Sequence, residues 1–322
     1  MIAAIEKAST IAISGHTNPD GDCVGSCLAL CTYIRDLYPE KTVDVILEPI
    51  SDKFRFLKYA PEIIHEDAAE AANLSEMTYD LYFAMDSSEP DRLGFARKYF
   101  DKAAYKICID HHITNQGFGD LRFIRPDLSS ACEVLYHLLD YDKISYDCAQ
   151  ALYLGLIHDT GVFKHSNTSR QTMEIAGALI DKGVRPDRII DDTFYRKTYI
   201  QNQILGRALM ESILMMDGMV IFSVISKKDM TFYGVDGSDL DGIIDQLRVT
   251  EGVECALLLY EKEDHVYKVS MRSNGRIDVS AIAQYFGGGG HVRAAGCTME
   301  GEFRDIINSI TALIEDQINQ NE

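Results

Sequence analysis

The chain has 322 residues, 46% of them apolar and 25% charged, which at ~150 residues per domain is enough for about two ordinary globular cores. This excludes disordered, collagenous and small disulfide-stapled classes. A formal net charge of −19 makes long duplex DNA and anionic membrane poor partners, because like charge repels unless a local basic patch intervenes; short nucleotides held through cations stay open.

No segment approaches the ~18–20 unbroken apolar residues of a membrane span. Glu6 and Lys7 interrupt the N-terminus where a signal peptide would carry its apolar core. Thr10–Ser14 (TIAIS) reads as a buried strand, and Asp22–Arg35 has apolar helical periodicity. Within it Cys23, Cys27 and Cys31 share one helix face and read as small core residues. The eight cysteines include no C-x-x-C pair, so the expected compartment is the reducing cytoplasm. Val43–Leu47, Leu81–Met85 and Tyr105–Ile109 read as further strands. Helical stretches follow at Ala131–Leu139, Cys148–His158 and Gln171–Lys182. Strands alternating with helices predict a parallel sheet covered on both faces. Tyr199–Met216 reads as one long connecting helix. Beyond it, Met219–Ile225, Val253–Tyr260 and Val266–Arg272 read as strands, with helices near Leu240–Leu247, Val279–Tyr285 and Phe303–Gln317. The expected architecture is α/β: an N-terminal doubly wound domain with a mainly parallel sheet over 1–195, a helical connector over 196–216, and a smaller mixed α/β domain over 217–322.

Polar residues collect where these strands end. The first runs into Gly15-His16-Thr17-Asn18-Pro19-Asp20-Gly21-Asp22, the third into Asp86-Ser87-Ser88, and the fourth into Asp110-His111-His112. Ligands of open parallel sheets bind at the carboxyl ends of strands, so neighbouring strands would bring His16, Asp20, Asp22, Asp86, Asp110, His111 and His112 to one edge. Asp159, after a helix, is a candidate to join them. Taken singly each piece has a plain reading, such as a polar turn with Asp22 capping the next helix. Taken together they pose a charge problem. Two carboxylates about 4 Å apart repel by roughly 4 kcal/mol at an effective dielectric of 20, so several in one cleft need protons or cations. Imidazole mixed with carboxylate favours Mn²⁺, Fe²⁺ or Zn²⁺, and there are ligands enough for two ions, a familiar arrangement for displacement at phosphorus. In the second half, Gly287–Gly290 precedes His291. The run reads as a loop whose amides approach an anion, followed by a helix start that adds a favourable dipole, with His291 and Arg272 as phosphate contacts.

These motifs resemble those of the DHH phosphoesterase superfamily. His16-Thr17-Asn18-Pro19-Asp20-Gly21-Asp22, Asp86, Asp110-His111-His112 and Asp159-Thr160-Gly161 are similar to its four motifs. Gly288-Gly289-Gly290-His291 with Ala294-Ala295-Gly296 resembles the signature of the DHH-associated C-terminal domain. Size and ordering look most like the group that degrades short oligoribonucleotides and 3′-phosphoadenosine 5′-phosphate (pAp). The resemblance implies a metal-dependent phosphoester hydrolase with two ions, usually Mn²⁺, with Mg²⁺ or another divalent ion as a substitute. His16, Asp20 and Asp86 would hold one ion; Asp22, Asp86, His111 and Asp159 would hold the other. His112 would face the scissile phosphate, and Asp110 would orient the histidine pair. Arg272, Ser273 and His291, with Gly289 and Gly290, would grip the substrate. Ser129, Ser130 and Glu133 match another recurrent stretch to which no chemistry attaches, and His158 has no clear direction. The implied partners are short RNA and pAp, with a homodimer as the base-rate expectation. Two alternatives stand beside this reading: a manganese-dependent inorganic pyrophosphatase, against which the His291 loop speaks, and a non-catalytic nucleotide or metal sensor.

Overall fold

Short apolar runs bounded by polar residues form the first sheet. The computed structural model describes residues 1–71 and 77–320, and the chain divides into two compact units, Met1–Arg196 and Lys197–Glu322. The strands of the first unit are β1 (Thr10–Ser14), β2 (Thr42–Val45), β3 (Leu81–Met85), β4 (Tyr105–Asp110) and β5 (Leu121–Ile124). They pair in parallel in the order β2-β1-β3-β4-β5. This is a doubly wound sheet as expected, and its order reverses between β1 and β3, the point at which such sheets bind ligands. Its helices are α1 (Ile2–Lys7), α2 (Gly21–Leu37), α3 (Glu66–Ala71), α4 (Arg97–Lys102), α5 (Ala131–Tyr136), α6 (Tyr146–Asp159), α7 (Arg170–Asp181) and α8 (Pro186–Ile190). The sequence reading did not anticipate β5 or α1. The first is a half-exposed edge strand containing Arg122, and the second is too short to show a helical period.

Helix α2 is buried at every position from Gly21 to Ile34, including Cys23, Cys27 and Cys31, which are free thiols in the core. It lies along α6, and Gly155 of α6 sits at the contact. A Cβ on Gly155 would stand 2.5 Å from Asp22 Oδ1 and 2.2 Å from Cys132 Sγ. Only a residue without a side chain leaves room there for the Asp22 carboxylate.

The second unit comprises α9 (Tyr199–Met210), β6 (Ile213–Met215), β7 (Val220–Ile225), α10 (Lys227–Tyr233), α11 (Ile243–Arg248), β8 (Cys255–Glu263), β9 (Val266–Ser273), α12 (Val279–Tyr285), β10 (Gly289–His291), β11 (Ala294–Glu300) and α13 (Phe303–Gln320). Its sheet runs β10-β11-β9-β8-β7-β6. All pairs are antiparallel except β7–β8. One face packs on α12 and α13 through Val279, Ile282, Ile306, Ile310 and Ile314. The other carries Ile204 of α9 and Ile243 and Leu247 of α11.

Two expectations are corrected here. The helix expected over 199–216 stops at Met210. Residues 213–215 instead join the sheet as β6, antiparallel to β7. Helical spacing and a three-residue strand cannot be told apart in so short an apolar run. The helix also buries Ile204 and Ala208 inside the second unit. Secondly, no helix start follows the glycine run. Gly289–His291 and Ala294–Glu300 form an antiparallel hairpin, and α12 precedes the run. Low strand propensity hid this pair. A Cβ on Gly290 (φ 144°) would lie 2.5 Å from Ala294 O and from Ala295 Cα, so the glycine permits two backbones to approach closely.

Candidate metal centre

The loop after β1 is shaped by Asp20. Its Oδ1 accepts from the amides of Asp22 (3.0 Å) and Cys23 (3.1 Å) and so caps α2; Asp20 is the capping residue, not Asp22. His16 Nδ1 donates to the carbonyl of Thr17 at 2.8 Å. That bond leaves Nε2 free, 3.4 Å from Asp86 Oδ2 and 3.7 Å from Asp20 Oδ1. A ring fixed by a backbone carbonyl on one nitrogen is the usual preparation of a metal-ligating histidine.

Asp86 follows β3 with φ 49°, a left-handed conformation that costs a side-chain-bearing residue about 1–3 kcal/mol. Its amide donates to Ile109 O at 2.9 Å. Its Oδ1 is buried with no hydrogen-bond partner among the described residues. That oxygen stands 3.5 Å from His111 Nε2 and 3.6 Å from His112 Nδ1. Asp86 thus lies between His16 and the histidine pair.

His111 Nε2 is 2.9 Å from Asp159 Oδ2 and 3.9 Å from Asp22 Oδ2. Burial would lower its pKa, but the hydrogen bond to Asp159 and the charge of Asp22 lift it to about 10. Asp22 is fully buried. Burial, and then repulsion from Asp86 and Asp159, push its pKa well above the carboxylate range. Burial likewise raises Asp159, against the opposing hydrogen bond from His111. Bare carboxylates so arranged take up protons, and a bound cation would relieve the same repulsion.

His112 is placed differently. Its Nδ1 bonds Asp110 Oδ1 at 2.7 Å, and this bond raises its pKa. Asp110 Oδ2 accepts from Asn115 Nδ2 at 2.6 Å. Burial alone would raise Asp110, but the bonds from His112 and Asn115 outweigh it and hold this carboxyl below its ordinary value. Asn115 escaped the sequence reading; its place five residues after Asp110 was the available signal.

The donor set fits divalent cations. Three groups, His16/Cys23/Asp86, Asp86/His111/His112 and Asp22/His111/Asp159, each bring their ligand atoms within 4.8 Å of one another. Cys23 belongs to the first by position, yet burial and its neighbour Cys27 raise its pKa well above the thiol range. On that side Asp86 Oδ2 and Asp20 Oδ1 stand 3.4 and 3.7 Å from His16 Nε2. His158 is a packing residue. It sits between Phe54 and Phe194 (ring centroids 5.2 and 4.6 Å) and against Gly21, and burial lowers its pKa to about 4.

The remaining candidates lie in the second unit. Pairing places His291 opposite Ala294, Ala294 opposite Arg272, and Arg272 opposite Ala256. Directly paired residues share a face, so His291 and Arg272 flank Ala294 with about two strand spacings, ~9.6 Å, between their strands. Gly289, Gly296 and Ser270 form the next row of that face. The result is a floor with almost no side chains between an imidazole and a guanidinium. Ser273 is on the opposite face and buried, and its Oγ accepts from Gly275 N (3.0 Å) and Ile277 N (3.4 Å). It shapes the turn after β9 and does not stand beside Arg272. Gly290 also turns to the opposite face, where its role is the close backbone contact described above.

Comparison with known proteins agrees with this division. The DHH family N-terminal domain matches residues 10–156, and the DHHA1 domain matches residues 217–319. A bifunctional oligoribonuclease and PAP phosphatase of Thermus thermophilus is 29% identical over 94% of this chain and 88% of that protein. Its namesake from Bacillus subtilis is 25% identical over 93% of this chain and 92% of that protein. Among solved structures, an exopolyphosphatase-related protein from Bacteroides fragilis superposes with a TM-score of 0.89. It is 23% identical and covers 100% of this chain and 96% of that one; the likeness is one of fold.

Proposed function

This chain belongs to the DHH family, and from that premise we propose that it is a two-metal phosphoesterase. Its substrates would be short oligoribonucleotides, released as mononucleotides, and pAp, cleaved to AMP and phosphate. The relatives named for both activities support this reading. The observation that carries it is Asp86, whose buried, unpartnered Oδ1 and whose Oδ2 face the two histidine-bearing clusters.

His16, Asp20 and Asp86 would hold one ion, and Asp22, Asp86, His111 and Asp159 the other. Mn²⁺ suits this mixture of imidazole and carboxylate. Bound divalent ions supply Lewis-acid charge to the phosphate and a water nucleophile at neutral pH. His112, oriented through Nδ1 by Asp110, presents Nε2 to the phosphate and stabilises charge developing on its oxygens. Water attacks phosphorus in line with the ester bond, that bond breaks, and the leaving oxygen takes up a proton. No protein nucleophile is required. Arg272 and His291 hold a substrate phosphate over the bare floor between them. Free, buried cysteines throughout fit a reducing cytoplasm, and no described helix is long and apolar enough to cross a membrane.

The test uses chelator-stripped protein with a 5′-labelled RNA dinucleotide and pAp, each with and without Mn²⁺. The expected outcome is Mn²⁺-dependent release of mononucleotide and phosphate. Turnover of pyrophosphate alone, or binding of pAp without turnover, would overturn the proposal.

A further inference from the structure

The stretch Ser129–Glu133 carries no chemistry of its own, yet its polar groups form a dense hydrogen-bond frame around Glu133 Oε2. Asp22 accepts from two amides at the start of α5: Ala131 N to Oδ2 at 2.6 Å and Cys132 N to Oδ1 at 2.9 Å. Both carboxylate oxygens are therefore aimed by backbone, not by a side chain. Glu133, fully buried, fixes that backbone. Its Oε2 accepts from Ser129 N (3.1 Å), from Ser129 Oγ and from Thr172 Oγ1 (2.9 Å), tying the stretch to α7. Ser130 Oγ caps α5 by accepting from Glu133 N at 3.0 Å. Asn167 completes the frame: its Nδ2 donates to Ser129 O and to Asp159 O, each at 3.1 Å. The same few residues thus hold the backbone that aims Asp22 and the backbone that carries Asp159. These two carboxylates flank His111 Nε2. None of these bonds reaches His16 or Asp20.

We infer that Glu133, Thr172 and Asn167 are positioning residues for one ion only, the ion assigned to Asp22, His111 and Asp159, and that they set its affinity independently of the ion at His16 and Asp20. The inference rests on the two-ion reading above. Outer partners of metal ligands typically contribute ~10–100-fold in affinity. Here that contribution is concentrated on one half of a binuclear site, so loss of the frame leaves a protein that still takes up its other ion.

The experiment is a Mn²⁺ titration of chelator-stripped full-length protein, read by the electron paramagnetic resonance of free Mn²⁺ and by calorimetry. It compares wild type with Glu133→Gln and Asn167→Ala. Asn167 is exposed, so its truncation leaves the core intact even if the Glu133 variant folds poorly; a thermal melt checks both. Wild type is expected to bind two ions. Each variant is expected to bind one with unchanged affinity and the other ~10–100-fold more weakly, and excess Mn²⁺ restores its turnover. Equal weakening of both steps, or no change in a folded variant, would overturn the inference. Wild-type protein that takes up fewer than two ions would instead overturn the two-ion reading beneath it.

Discussion

The two units handle polar chemistry in opposite ways. In the first, the candidate groups gather around the carboxyl ends of β1, β3 and β4, with Asp22 and Asp159 brought in by α2 and α6, and are mostly buried; several are held by hydrogen bonds, with Thr17 O for His16, Asn115 for Asp110, and the amides of α5 for Asp22. In the second, Gly289 and His291 are exposed on an edge hairpin. Among the described residues Arg272 has only Met271 O at 3.2 Å and a loose approach to Asp245 at 3.7 Å. In the first unit the groups proposed to act on the phosphate are largely set in advance by the fold, whereas in the second the groups proposed to hold it have few partners among the described residues.

The sharpest way to break this contrast is at Asp86. Asp86→Ala should abolish uptake of both ions and reduce kcat by more than a hundredfold, beyond the ~10–100-fold of losing an outer partner. Retention of both ions in a titration would show that Asp86 does not link the clusters. Next comes Asp110→Asn, expected to lower kcat ~10–100-fold. This variant also carries a pH signature. The Asp110 bond raises the His112 pKa, and activity that needs protonated His112 is lost as pH rises through that pKa. Removing the negative partner should therefore move the alkaline limb of the kcat profile to lower pH; an unmoved limb would separate Asp110 from His112.

Smaller effects are expected from the second unit, and on a different parameter. Arg272→Ala and His291→Ala should each raise KM about tenfold, the equivalent of ~1.4 kcal/mol for one lost charge-assisted contact, with kcat and Mn²⁺ binding little changed. A fall in kcat at constant KM would place these residues in the chemistry instead. Gly290→Ala should have the least effect on chemistry. It costs about 1–3 kcal/mol of local stability by forcing the hairpin strands apart, read as a lower melting temperature, and leaves the metal titration of the first unit unchanged.

Much of the first unit was legible because β1, β3 and β4 are short, largely apolar and run directly into acids and histidines. Thr10–Ser14 and Leu81–Met85 have the same bounds in sequence and structure. The hairpin at Gly289–Glu300 was not legible, since glycine and alanine form strands there only because β9 offers an edge to pair with. Ser273 was likewise opaque. The period of two along β9 puts it on the face opposite Arg272, and only the pairing shows which face holds which partner.

The sequence by itself determined which residue types end each strand and therefore what chemistry the site can hold, because strand periodicity and the position of acids and histidines are local properties of the chain. Tertiary structure alone decided how those residues are aimed. The amides that orient Asp22 lie more than a hundred residues further along the chain, and Asn167 joins Ser129 to Asp159 only after α5, α6 and α7 have packed. Orientation of this kind depends on contacts between distant segments, and no local pattern encodes it.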